Sequence, residues 1–158
     1  MIRKKLSAFS LLAVSVLILS GCSSSGDTSG VEIEVPDIPM HESMGDFEGE
    51  INIVNWAGFV DPKWTDKFEA DTGCMVKSRT AGTSDEMVTL MRTGQYDIVS
   101  ASGDAALRLI VGGDVQPLNV DLIPNFGDEI APGMRNNIYD TVNGKPYGVP
   151  IGRGANLL

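Results

Sequence analysis

Three times between residues 51 and 111 the chain repeats one order: an apolar run of strand length, a turn of small residues, then a helix start. Residues 51–56 read as the first strand, and Asp61-Pro62 supplies an N-cap followed by proline at the first helical position. Trp64 and Phe68 lie four apart on one face of that helix, and Gly73 is its natural stop. Residues 75–80 read as the second strand. Thr83-Ser84-Asp85-Glu86 then fits the T-x-x-E capping box, with Met87, Leu90 and Met91 as the apolar stripe behind it. Residues 96–100 form a third, short strand. A third helix follows over 105–111, capped by Asp104 or Ser102 and ended by Gly112-Gly113. Strands that alternate with helices in this way predict an α/β fold whose parallel sheet is joined by right-handed crossovers.

The flanks follow other rules. Residues 1–5 are short and basic, residues 6–19 are almost wholly apolar, and Leu19-Ser20-Gly21-Cys22 closes the run. That order describes a secretory signal peptide, and its apolar stretch is short for a membrane span. Leu-Ser-Gly-Cys resembles the lipobox of bacterial lipoproteins, which implies that residues 1–21 are removed and Cys22 is lipidated. Several acyl chains there would hold the protein to a membrane surface. Residues 22–49 read as a flexible tether, Ser- and Gly-rich at first and then broken by Pro36 and Pro39. His41, the one histidine, sits in that tether. Beyond Val115, Pro117, Pro124 and Pro132 predict loops and short helical turns, and Asn143-Gly144 predicts a hairpin over 139–149.

Composition excludes one class of partner. Setting aside Arg3, Lys4 and Lys5 with the signal segment lowers the 12 basic residues to 9, against 21 acidic. Nucleic acid, which requires clustered Lys and Arg, is therefore not expected as a partner. Catalysis has no candidates either. There is no G-x-S-x-G elbow, no H-E-x-x-H and no Cys or His cluster spaced for zinc, so neither a metal nor a cofactor is expected. Cys74 reads as a small buried hydrophobe, or as half of a disulfide whose partner is elsewhere.

The three turns after the strands carry the binding candidates. In a parallel α/β sheet ligands sit beyond the carboxyl ends of the strands. Trp56 and Phe59 follow the first strand, Thr83 and Asp85 the second, Ser102 and Asp104 the third. Each of the six has an ordinary structural role open to it, as core or cap. Their convergence on one edge is what makes a ligand site the better reading.

Asn55-Trp56 followed by Phe59-Val60, then Phe68-Glu69-Ala70-Asp71-Thr72-Gly73, Tyr96-Asp97-Ile98-Val99 and Tyr147-Gly148-Val149-Pro150 resemble, in order and spacing, the N-terminal part of bacterial periplasmic spermidine/putrescine-binding proteins. The resemblance implies a periplasmic-binding-protein-like (type II) lobe over residues 50–158, with a second lobe not contained in this sequence. It implies a periplasmic or extracytoplasmic receptor that delivers a polyamine to the permease of an ABC transporter. Trp56 and Phe59 match aromatic positions that flank the ligand's methylenes, where packing and cation–π contact suit an alkylammonium. Ser102 matches a cleft serine, and Asp104 stands where the family often carries an aromatic. Ala57-Gly58 and Arg153 depart from the family's pattern. With the Gly82-Thr83-Ser84 helix start, Arg153 gives a sibling reading in which the same receptor takes a small anion. A secreted enzyme is the remaining alternative, and it needs a nucleophile and base that these residues do not supply.

Overall fold

The structure, a computed structural model, describes residues 32–152. The expected signal segment, Cys22 and Arg153 lie outside them. Three parallel strands, β1 (Glu50–Asn55), β2 (Met75–Thr80) and β3 (Ile98–Val99), form a sheet in the order β2-β1-β3. Between and after them run α1 (Pro62–Thr72), α2 (Ser84–Met91) and α3 (Gly103–Gly112). The expected parallel α/β lobe is what the chain forms.

Helix ends follow the sequence signals closely. Asp61 caps α1 by accepting the Lys63 N–H at 2.9 Å, and Gly73 ends it at φ 71°, where a side chain would be strained. Glu69, one turn from that end, accepts the Val76 N–H at 2.7 Å. The carboxylate thereby satisfies a donor on the outer side of β2, which is an edge strand. At the same end of the β2–β1 pairing, the Lys77 ammonium bonds to Glu50 and, with the Asn52 amide, holds its carboxyl below the usual range.

Register and crossover decide what is buried. Val54 and Val99 are partners in register and share one face. Met87 packs with Val54 and Ala81, while Val88 and Met91 pack with Ala105 and Leu109. Val99 and Tyr96 touch both groups, so α2 and α3 cover this face as one core. Full burial of side chains such as Met87 and Leu109 stabilises by about 2 kcal/mol each. Stepping from β1 to β2 and then back across to β3 reverses direction, so right-handed crossovers set α1 on the opposite face from α2.

Four expectations are adjusted. Trp64 and Phe68 share a face of α1, but that face is not core: they are 57% and 40% exposed. The third strand is only Ile98–Val99, extended by single bonds from Asp97 N–H to the Asn52 carbonyl and Ser100 N–H to the Val54 carbonyl. The third helix begins at Gly103 with Ser102 as N-cap, although the Ser102 side chain makes no capping bond. In the α2 stripe, Val88 is buried with Met87 and Met91, and Leu90 is only partly covered.

After α3 come two single 3-10 turns, Val120–Leu122 and Pro132–Met134, with α4 (Phe126–Glu129) between them. The Arg135 guanidinium ties this stretch together through the Gly127 and Ile130 carbonyls. A short hairpin follows, β4 (Thr141–Val142) and β5 (Lys145–Pro146). Asn143 and Gly144 have φ of 50° and 76°, the two positive values that a type I′ turn requires. Cys74 is buried and free. Among the described residues no helix is long and apolar enough to cross a membrane.

Candidate ligand-binding edge of the sheet

All three strands run parallel, so the turns after Asn55, Thr80 and Val99 leave from one edge. After β1 the chain reverses in a tight turn, with the Phe59 N–H donating to the Trp56 carbonyl at 3.1 Å. Gly58 occupies its third position at φ 83°, the conformation of a type II turn. Trp56 lies partly buried against the Val54, Ala81 and Met87 group, while Phe59 is 48% exposed. Asn55 beneath them is buried; its Nδ2 donates to the Trp56 carbonyl at 2.8 Å, and its Oδ1 has no partner.

After β2 the capping box forms with a shifted return contact. Thr83 Oγ1 accepts the Glu86 N–H at 3.1 Å, but Glu86 reaches back to the Gly82 N–H, at 2.9 Å, rather than to Thr83. Arg79 stands 3.6 Å from the other Glu86 oxygen. Thr83 is therefore engaged as a cap. Asp85 points outward and pairs with Arg108 of α3 at 2.5 Å, joining the two helices across their exposed side.

The closest polar grouping lies between the starts of α2 and α3. Ser84 Oγ and Ser102 Oγ are 2.7 Å apart, and Ser102 Oγ donates to Asp104 Oδ1 at 2.8 Å. A carboxylate only accepts, so the Ser102 proton goes to Asp104 and the Ser84 proton goes to Ser102. The result is an ordered chain of two hydroxyls ending on a carboxylate. Among the described residues Asp104 forms no ion pair.

Of the six residues singled out from sequence, the fold directly links Ser102 with Asp104. It sets Trp56 and Phe59 together on the β1 turn and gives Thr83 and Asp85 other partners. Two residues were missed. Ser84 belongs by sequence to the capping box and the Gly82-Thr83-Ser84 helix start, without standing among the six side chains singled out. Tyr139 was read only as the start of a hairpin, yet its ring lies against Gly103 at the first turn of α3, where an added Cβ would stand 2.6 Å from Tyr139 Cγ. Gly103, directly after the Ser102 cap, was the one sequence signal that something presses on that helix start. Next to Tyr139, burial raises the Asp140 carboxyl above its usual range, against hydrogen bonds from the Thr141 hydroxyl and from its own backbone N–H.

Two surface depressions lie away from this edge. One is lined by residues 32–37 with Asn143 and Lys145; the other runs between residues 129–134 and 149–152. Among the described residues no three His, Cys, Asp or Glu side chains converge as a metal site.

No protein-family model matches the chain. Solved structures do. A protein described as a spermidine/putrescine ABC transporter from Listeria monocytogenes superposes with a TM-score of 0.54 at 26% identity, covering 58% of this chain and 29% of that one. The spermidine/putrescine ABC transporter substrate-binding protein PotD from Streptococcus pneumoniae, in complex with calcium and HEPES, gives 0.53 at 26% identity, with 58% and 28% covered. The chain thus spans under a third of the length of either neighbour. Its α/β lobe with a parallel sheet is shared with these binding-protein-like structures. Both are transporter components and not enzymes, and the non-enzymatic reading of this chain agrees with them.

Proposed function

We propose that this chain is the N-terminal lobe of an extracytoplasmic solute-binding receptor that delivers a polyamine, or a similar small organic cation, to an ABC importer. The observation that carries this reading is the sheet edge. Aromatic side chains of Trp56, Phe59 and Tyr139 accompany the Ser84–Ser102–Asp104 chain there, a combination suited to methylenes flanked by ammonium groups. The descriptions of the two solved neighbours support it. In this proposal residues 1–21 are a cleaved signal peptide and Cys22 carries the lipid. Residues 22–49 are the tether, residues 50–158 the lobe, and the partners are the permease subunits and the membrane surface.

Charge at the helix starts favours a cation over an anion. Asp85, Glu86 and Asp104 occupy the first turns of α2 and α3. At α2, Thr83 already takes the Glu86 N–H and Glu86 takes the Gly82 N–H, so an incoming anion meets occupied donors and negative charge. Asp85 is neutralised by Arg108, which leaves Asp104 as the carboxylate for an ammonium. Titration calorimetry on the intact protein tests this. Saturable heat with putrescine or spermidine and none with succinate or phosphate is expected; the opposite pattern installs the anion reading. Asp104→Asn should weaken cation binding by about tenfold, the scale of one charged hydrogen bond.

A further inference from the structure

Residues 32–49 hold almost no regular secondary structure, yet their first part is bonded to the body of the protein. The Ile33 N–H donates to Asn143 Oδ1 at 3.2 Å, and Asn143 Nδ2 donates to the Ile33 carbonyl at 2.7 Å. One side-chain amide thus gives the Ile33 backbone the two bonds that a neighbouring strand residue would give it, across a separation of 110 residues. Pro36 packs against Gly113, the left-handed cap of α3, where an added Cβ would meet Pro36 Cγ at 2.9 Å and Ile38 Cδ1 at 3.7 Å. Lys145 of β5 stands 3.7 Å from Asp37; both side chains are well exposed, so this pair adds little.

We propose that residues 33–38 form a strap that fastens the N-terminal segment to the β4–β5 hairpin and to the C-terminal end of α3. The strap shortens the leash on which the lobe is held. This second part rests on the proposed lipidation of Cys22. At no more than about 3.6 Å per residue, the span from Cys22 to Ile33 reaches at most about 40 Å, against about 97 Å if nothing were fastened before Gly49. The strap meets α3 at the end away from Ser102 and Asp104.

Amide hydrogen exchange on the intact protein reads the strap directly. The Ile33 N–H should exchange at least about tenfold more slowly than an unprotected amide. Asn143→Gly keeps the positive φ that the turn needs while removing both bonds. It should return Ile33 to the unprotected rate, with the amides of Val54 and Leu109 unchanged as proof that the fold persists. An unprotected Ile33 in the natural protein, or equal protection in the variant, overturns the strap. The mass of the processed N-terminus reads the leash separately. Lipidated Cys22 supports it, and an unmodified Cys22 overturns the leash while leaving the strap contacts in place.

Discussion

At Gly103 a hydrogen stands where any other residue would drive a methyl group into the ring of Tyr139. The atoms it would meet are the Tyr139 Cβ, Cγ and Cδ1, close to the backbone, so a rotamer change alone does not clear them. Gly103→Ala should therefore destabilise by about 1–3 kcal/mol, the usual range for overpacking. In a Tyr139→Ala background, where only the Cβ contact at 3.1 Å is left, the same change should cost less than about 1 kcal/mol, offset in part by alanine's better helix propensity. Denaturant unfolding of the four proteins measures the difference, and an equal cost in both backgrounds would remove the ring from the explanation. Ser102 and Asp104 show the same dependence on neighbours. Their hydroxyl and carboxylate were legible as candidates from position alone, but the bond from Ser84 that orders the chain comes from another helix.

The elements themselves were largely written in local chemistry. Asp61, Gly73, Thr83 and Gly113 each sit at the helix end that their side chains, or the lack of one, favour. Thr83→Ala should cost about 1 kcal/mol through loss of the Glu86 N–H bond, and Thr83→Ser should recover most of it. Thermal unfolding monitored by circular dichroism gives the comparison; no change in either variant would mean that the cap adds nothing to α2. What local chemistry did not predict was length. The third strand is held to β1 by two register pairs and two flanking bonds, whereas β2, the opposite edge strand, pairs with β1 over six residues.

For the whole molecule, the consequence of register is a sheet with unequal faces. Val54 and Val99 lie under α2 and α3, whereas their neighbours Ile53 and Ile98, paired in register on the other face, are less covered, Ile98 being 45% exposed. The helix crossing to that side, α1, buries no residue, and Trp64 and Phe68 stand open to solvent. Replacing both with glutamine should change stability by less than about 0.5 kcal/mol per site, as for other surface substitutions. The same variant should bind an apolar fluorescent dye several-fold more weakly than the natural chain. Strong destabilisation with unchanged dye binding would show that the pair is core after all.

Sequence by itself determined the alternation of strands and helices, the caps that bound them, the hairpin turn at Asn143-Gly144 and the edge from which the candidate residues leave. These depend on residues near one another in the chain, where spacing alone fixes who can meet. The tertiary structure decided which face each helix covers. It also placed Tyr139 against Gly103, Ser84 beside Ser102, and Ile33 on Asn143. Each of these contacts joins residues that no local period relates, so only the packing of the whole sheet and its helices could bring them together.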